Sequence, residues 1–419
     1  GNNVLEYINS FISYRDSHPD SNNFYLYAEI ESDMSETISR EIIDKSNSKT
    51  YITMFCSSEL LARTFTEQHP FTRYLPSEYI ENAAIKPDTE LNVYMLGFGK
   101  LSRELYRQLI LRNQLVKYEN GEYRILPVKY IIYDPSVDPD DEILSGISQD
   151  LSELDQSHYF PLPEAPFNAE AVSKSPTCHD VISRISKSLS AKNSYTYIIV
   201  NTDDDCRNIE LGVKLKNRFC NRTNFRVFVK SETSYTEDSE IITYWGKGED
   251  VFVHNVIVND SLSKLAKKLH EIYLSKNIQS APWDKLDYFT IFSNIQSALN
   301  LRVTLNLLGL DYEANRECKN LDLIEKRLKR EKICGFEDYF KQSVTNSLIA
   351  QEHIRWNAYH LLNGYLPLER DAITRDTSST TKVRFVTKNI VTKRHATLTT
   401  HKGVGDLSYY LAECAGDGY

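Results

Sequence analysis

The sequence lacks several features that would assign the protein to a common class. Its 419 residues contain no apolar run near the roughly 18 residues that a membrane-spanning helix needs. The seven cysteines are odd in number and scattered, without a Cys-x-x-Cys pair, which is typical of a reduced, intracellular protein without a structural zinc site. No signal peptide is visible. We therefore expect a soluble, cytoplasmic chain that binds no metal.

An excess of basic residues is also missing. Lys and Arg number 49 against 58 Asp and Glu, so the formal net charge is −9. A nucleic-acid-binding protein normally carries a basic domain or stripe. The balance therefore argues against a nucleic-acid partner.

Recognisable catalytic patterns are scarce as well. An NAD-dependent oxidoreductase, the enzyme alternative, needs a His or Lys general acid or base with an orienting carboxylate. No Tyr-x-x-x-Lys motif follows the fourth predicted strand. His353 and His360 are seven residues apart with no metal ligand at i+4, so they do not match the zinc-binding helix of zinc proteases. We therefore predict no catalytic residues and favour a non-enzymatic role.

The most informative stretch is an apolar strand that breaks into a glycine turn. Residues 91–96 lead into Gly97-Phe98-Gly99-Lys100, and a helix follows with Leu101, Leu105 and Leu109 at helical spacing. Glycine lets the backbone turn tightly and approach a phosphate, which the helix N-terminus then stabilises. This is the opening βα unit of a dinucleotide-binding fold.

The next segments continue the β-α-β alternation. Asp134 follows the strand 128–133 directly. An acid at this position predicts that its side chain binds the hydroxyls of a ribose. The alternative is that Asp134 is a helix N-cap or a turn residue. A hairpin turn near 118–123 explains the long spacing from Gly99. The strand 195–200 is followed by a polar run. We expect its Thr202 and Asp203 to lie beside the glycine turn and Asp134, in one crevice at the carboxyl ends of the strands. For at least two of residues 203–205 we expect only a helix cap. The alternation predicts an α/β fold with a parallel, Rossmann-like sheet and helices on both faces.

An internal repeat involves the start of the chain. A helix opening on Asn, a polar loop and a strand recur at 3–32 and at 208–233. The later copy occupies the fourth helix and fifth strand of a Rossmann unit. We therefore expect residues 1–90 to be a partial unit whose glycine turn lies upstream, with Tyr51–Phe55 as its next strand. An incomplete sheet leaves an edge to cover, which favours a homodimer.

These strands and turns resemble the TrkA-N (RCK-N) family, the Rossmann-type regulatory domains of prokaryotic potassium channels and transporters. The resemblance rests on residues 94–102, 130–134 and 198–208, and it departs at Ser102, where the third glycine would stand. It implies binding of NAD(H) or another adenine nucleotide, read out as a conformational signal. A membrane segment upstream of residue 1 is a further expectation.

The last part of the chain carries a different pattern. A helix over 348–362 places Glu352, His353, Arg355 and Trp356 within two turns, and we expect a buried Trp356, with Glu352 and His353 near a concave surface shared with 393–395. The alternative is a purely structural role, with a tryptophan in the core and a hydrogen-bonded polar residue beside it. A charged helix is expected near 319–332. The basic cluster of 382–394 is best explained as a solvated loop, with an anionic ligand facing it as the alternative.

The Glu-His-x-Arg-Trp string, the Leu-Leu-x-Gly-Tyr after it and the segment around His395 resemble the RyR domain, a small helical repeat named from ryanodine receptors. The chain departs from that pattern at 403–405. The resemblance implies a ligand- or partner-binding module with Glu352, His353, Arg355, Trp356 and His395 at its site.

The predicted organisation has three parts: a partial Rossmann unit (1–90), a complete nucleotide-binding unit (91–278) and a mainly helical RyR-like domain (281–419). The expected function is nucleotide sensing in a prokaryotic potassium-transport or channel-like system. The alternatives are an NAD-dependent oxidoreductase and a sensor of nucleotide-derived signals in a bacterial conflict or stress system. The predicted nucleotide-binding residues are Gly97, Phe98, Gly99, Lys100, Ser102, Asp134, Thr202 and Asp203.

Overall fold

The computed structural model describes residues 2–18, 22–30, 50–233, 239–253, 257, 261–276, 281–311, 342–376 and 385–415. The charged helix expected near 319–332 lies outside these residues, as do the first three residues of the 382–394 cluster. Within the described ranges, no helix is both long and apolar enough to cross a membrane.

The N-terminal part contains a helix, two strands and a second helix. These are α1 (Asn2–Ser17), β1 (Phe24–Glu29), β2 (Thr50–Phe55) and α2 (Ser57–Gln68). Strands β1 and β2 pair in parallel, as two adjacent strands of a Rossmann unit would. A short hairpin follows, formed by β3 (Ile80–Glu81) and β4 (Ala84–Ile85). The strand expected over Tyr51–Phe55 is confirmed, and the partial-unit interpretation stays a prediction.

The middle of the chain contributes eight strands: β5 (Glu90–Leu96), β6 (Val116–Glu119), β7 (Glu122–Ile125), β8 (Lys129–Tyr133), β9 (Asn168–Val172), β10 (Ser194–Val200), β11 (Phe225–Lys230) and β12 (Ile242–Trp245). Six form one sheet in the order β12-β11-β10-β5-β8-β9, and every neighbouring pair is parallel. The other two, β6 and β7, form the expected hairpin, with Asn120 and Gly121 at positive φ in its turn.

Helices cover both faces of this sheet, as the alternation predicted. They are α3 (Lys100–Arg112), α4 (Glu142–Ser152), α5 (His179–Ser190) and α6 (Asp205–Arg218). Successive residues of β5 point to opposite faces, so Val93 and Met95 join one core with α2 and α3, whereas Tyr94 and Leu96 join the other with α5 and α6. The chain is therefore α/β around a buried parallel sheet.

The C-terminal part is mainly helical. It contains α7 (Ser261–Lys276), α8 (Tyr288–Leu307), α9 (Gln342–Leu362) and α10 (His401–Ala415), with short strands β13 (Leu366–Pro367), β14 (Thr374–Arg375), β15 (Phe385–Val386), β16 (Lys388–Asn389) and β17 (Arg394–His395). Single 3-10 turns lie at 71–73, 77–79, 156–158, 248–250, 283–285 and 370–372. Val303 and Leu307 of α8 belong to the same core as Val93 and Met95. The helical part thus packs directly on the sheet's helices.

Two strands of the sheet were not predicted. The edge strand β9 reads Asn-Ala-Glu-Ala-Val, and its Asn and Glu side chains are exposed. Such a sequence has low β-propensity and forms a strand here because its backbone pairs with β8. The other edge strand, β12, has only four residues.

Candidate functional site

The strand order reverses between β5 and β10, which lie side by side in the sheet. In open parallel sheets, ligands bind beyond the carboxyl ends of the strands at such a reversal. The loop after β5 carries Gly97, Phe98 and Gly99, and the loop after β10 carries Thr202 and Asp203. The structure therefore brings these predicted residues to one edge of the sheet.

Gly97 holds the first loop against the second. Its φ is +105°, and an added Cβ would overlap the carbonyl oxygen of Asn201 and lie 2.7 Å from its carbonyl carbon. The Gly97 amide donates to the carbonyl of Tyr133 at 2.9 Å. Only glycine satisfies both the backbone angle and the close approach.

Gly99 has a different role at the start of α3. Its φ of −68° suits any residue, and no side chain caps this helix. An added Cβ would find only Asp203 Oδ1 within 4 Å, at 3.4 Å. Gly99 and Lys100 are exposed. The first-turn amides and the positive end of the helix dipole thus face open space.

Asp134, at the end of β8, is bonded to the glycine loop. Its Oδ2 accepts from the Phe98 amide at 2.8 Å, and its Oδ1 accepts from the amide and hydroxyl of Ser136 at 2.8 and 2.6 Å. Partial burial raises the pKa of Asp134, but the bonds from Ser136 and Phe98 outweigh it and lower the pKa below its usual range. The turn interpretation is confirmed; a ribose contact stays a prediction.

Ser102 and Thr202 hold the loops in place. Ser102 is fully buried, and its hydroxyl accepts from Asn201 Nδ2 at 2.8 Å. The amide and hydroxyl of Thr202 donate to Asn208 Oδ1 at 2.8 and 2.6 Å. The buried Asn208 also donates to the carbonyls of Thr202 and Lys230, both at 3.1 Å. This role of Asn208 was not predicted, because its bond to Lys230 joins the start of α6 to the end of β11, which meet only in the fold.

The acidic run after β10 contains one helix cap rather than the two expected. Asp204 caps α6 by accepting from the Arg207 amide at 3.1 Å. Asp205 accepts from the Glu232 amide at 2.6 Å and from Lys230 Nζ at 3.2 Å. Asp203 is exposed beside Gly99. Two of the three acids are therefore structural, and only Asp203 faces the edge of the sheet.

A cleft of about 580 Å³ opens beside the N-terminus of α3, and we call it the glycine-loop cleft. Phe98, Gly99 and Lys100 line it, together with Arg103 and Arg107 on the same face of α3. Arg103 pairs with Asp141, the N-cap of α4, and lies 5.2 Å from the Phe98 ring centroid. The two arginines were missed, although their i, i+3, i+7 spacing with Lys100 is visible in the sequence.

The five predicted residues of the C-terminal part fall into two groups. His353, Trp356 and His395 belong to one group, in which the Trp356 ring lies 5.0 Å from that of His395 and 3.7 Å from that of His360. Trp356 was expected to be buried, but its side chain is partly exposed. Burial lowers the pKa of His360 to about 3 and of His395 to about 4, so both rings are neutral at pH 7.

Glu352 and Arg355 form the second group, on the side of α9 that meets α8. Both Glu352 oxygens accept from Arg355, at 2.7 and 2.8 Å, and Ser297 of α8 donates to Glu352 at 3.0 Å. The bonds of Glu352 and Arg355 are to each other and to α8. His353 instead lies 3.3 Å from the carbonyl oxygen of Thr397, close to the 393–395 segment, and the expected concave surface shared by Glu352, His353 and that segment stays a prediction. Arg112, the last residue of α3, reaches this region and donates to the carbonyl and side-chain oxygens of Gln296.

Comparisons with protein-family models, with curated protein sequences and with solved structures found no match for this chain.

Proposed function

We propose that the chain is a nucleotide-sensing regulatory protein that binds NAD(H) or another adenine nucleotide at the glycine-loop cleft. The observation that carries the proposal is the uncapped N-terminus of α3, presented by Gly97 and Gly99 where the strand order reverses. The sheet order corresponds to 3-2-1-4-5-6, the order of dinucleotide-binding Rossmann folds. A helix N-terminus at that point is suited to an anion.

The residues fit a phosphate-bearing ligand. The open space over Gly99 accommodates close approach of a phosphate to the backbone. Lys100 and Arg107 line the cleft without an ion pair in the described ranges and supply positive charge, although Glu104, Asp141 and Asp150 also belong to its lining. Asp134 lies outside the lining of the cleft but is bonded to Phe98, and after accepting three hydrogen bonds it retains about one lone-pair site for a ribose hydroxyl. Asp203 would repel a phosphate, but its side chain is exposed and can rotate away at low cost.

The helix α3 would pass the signal to the C-terminal part. Its first turn belongs to the cleft, and its last residue, Arg112, is fully buried against Gln296 of α8. The Glu352–Arg355 pair lies beside it, and the charge of Arg355 acts on Arg112. A nucleotide that shifts α3 would therefore disturb the α8–α9 contact. The assignment to a potassium-transport or channel-like system rests on the family resemblance alone.

Isothermal titration calorimetry of the protein against NAD⁺, NADH, ATP, ADP and ADP-ribose tests the proposal. We expect saturable binding of at least one of them, tightened in Asp203→Asn because the repulsion from that carboxylate is removed. Absence of binding by all five would refute it. Steady oxidation of NADH with a small carbonyl substrate would instead favour the oxidoreductase alternative.

A further inference from the structure

A second cleft lies against the middle of α9, and we call it the junction cleft. Its volume is about 700 Å³, within the range of small-molecule sites. Four segments line it: the β6–β7 turn at 121–125, the proline-rich loop at 161–166, α9 through Ile354, Asn357 and Ala358, and the start of α10 at 399–406. None of the predicted nucleotide-binding residues lines it.

The walls of the junction cleft are held by direct bonds. The carbonyl of Pro161 accepts from the hydroxyl of Thr399 at 2.6 Å and from the amide of Thr400 at 3.0 Å. A Cβ on Gly403 would overlap Thr399 Oγ1 and lie 3.3 Å from Pro161 Cδ. This contact explains the glycine at which the chain departs from the RyR pattern. The cleft is therefore preformed.

An unpaired acceptor lies in this cleft. Asn357 is 5% exposed, and its Nδ2 donates to the carbonyl of Thr399 at 2.8 Å. Its Oδ1 is buried and has no hydrogen-bond partner among the described residues. Buried polar atoms are rarely left unpaired in native proteins. A ligand that donates an N–H would pair this oxygen, while the partly exposed side chains of Tyr123 and Ile125 in the same lining offer an aromatic and apolar surface on which a flat ring can pack.

The charges around the cleft disfavour an anion. Glu122 pairs with both local cations, Lys402 at 3.2 Å and Arg124 at 3.6 Å. Glu164 and Asp406 are exposed at the rim and have no ion pair in the described part of the chain. A phosphate or carboxylate would face these two acids without a free cation to balance it.

We propose that the junction cleft binds a small, ring-shaped nitrogen compound without phosphate, uncharged or cationic, which donates an N–H to Asn357 Oδ1. This site is separate from the glycine-loop cleft and does not depend on the function proposed for it. Its position between the sheet's loops and the helical part would let such a ligand stabilise their contact.

Three probes of one shape and different charge test the proposal: benzamidine, benzamide and benzoate, each followed by saturation-transfer difference NMR on the full chain. We expect benzamidine and benzamide to bind with millimolar affinity, benzamidine the more tightly because Glu164 and Asp406 attract its charge, and benzoate to bind far more weakly. Asn357→Leu should weaken benzamide binding about five-fold, the effect of one hydrogen bond.

Because Asn357→Leu also loses the bond to Thr399, a double variant, Glu164→Gln with Asp406→Asn, serves as the second test. It should abolish the preference for benzamidine over benzamide while leaving the thermal midpoint of unfolding unchanged. Binding of benzoate as tightly as benzamide, absence of binding by all three probes, or unchanged binding in both variants would overturn the proposal. Gly99→Ala should bind the probes as the natural chain does.

Discussion

Gly97 packs against the carbonyl group of Asn201 so closely that a Cβ atom at residue 97 would lie 2.7 Å from the carbonyl carbon. The contact joins the ends of β5 and β10, the two strands between which the sheet order reverses. The first glycine of the turn is therefore needed for packing, and Gly99 is the one that leaves room for a ligand.

The two glycines should differ in their effect on stability. Gly97→Ala places a side chain at φ +105° and against backbone, so we expect a loss of about 3 kcal/mol or more in the free energy of unfolding. Gly99→Ala keeps an ordinary φ and should change it by no more than about 1 kcal/mol. Urea-induced unfolding followed by circular dichroism measures both. Equal losses would contradict this division of roles.

Asn208 should be among the most sensitive polar residues of the sheet edge. Asn208→Ala removes two accepted and two donated hydrogen bonds at a fully buried site, and we expect a loss of about 3 kcal/mol. Thr202→Val removes the hydroxyl's bond to Asn208 and two long bonds of 3.4 Å with the Asp204 backbone, and it should cost about 1 kcal/mol. The same unfolding experiment compares them; a loss in Asn208→Ala no larger than that in Thr202→Val would show that the buried bonds are unimportant.

The charge cluster between α3, α8 and α9 gives a pair of variants with unequal effects. Glu352→Gln leaves the buried Arg355 without its carboxylate. Since the Glu352 side chain is 48% exposed, we expect a loss of about 2 kcal/mol, below that of a fully buried pair. Arg112→Met removes a buried cation that bonds no carboxylate directly, and this relief partly offsets the two hydrogen bonds lost to Gln296, so we expect a smaller loss, about 1 kcal/mol. Thermal unfolding compares the two variants, and a larger loss of stability in Arg112→Met than in Glu352→Gln would contradict the prediction.

Acid should destabilise the fold through His360. Burial lowers its folded-state pKa to about 3, from 6.5 when exposed. Above pH 6.5, His360 is neutral in both the folded and the unfolded state, so it makes no difference to the pH dependence of stability. As the pH falls from 6.5 to about 3, only the unfolded state binds the proton, so the free energy of unfolding decreases. From pH 6.5 to 5 the loss is about 2 kcal/mol from this residue. In His360→Gln the difference in unfolding free energy between pH 7 and pH 5 should shrink by that amount, and an unchanged difference would contradict the assignment.

Much of the sheet could be predicted because its central strands are buried on both faces. Continuous apolar runs at Leu91–Leu96 and Tyr195–Val200 mark such strands, and the glycine turn marks the start of α3. The edge strand β9 has no such run, since one of its sides faces solvent and its pairing with β8 alone makes it a strand. The sequence pattern therefore indicates the centre of the sheet better than its edges.

The site was predictable in its backbone and less so in its side chains. Gly97, Gly99 and Asp134 could be assigned because turns and strand ends have local sequence patterns. The bond from Phe98 to Asp134 and the contact of Arg112 with Gln296 join residues 36 and 184 positions apart. Such partners depend on tertiary packing, and no local pattern predicts them.

The most direct test of the central claim is the nucleotide affinity of Gly99→Ala compared with that of the natural chain, measured by titration calorimetry with whichever nucleotide binds. The added methyl group occupies the approach to the first-turn amides of α3 while leaving the fold intact. We predict an affinity at least about ten-fold lower, a loss of about 1.4 kcal/mol in binding free energy. An equal affinity in the two proteins would contradict the assignment of the glycine loop as the nucleotide site.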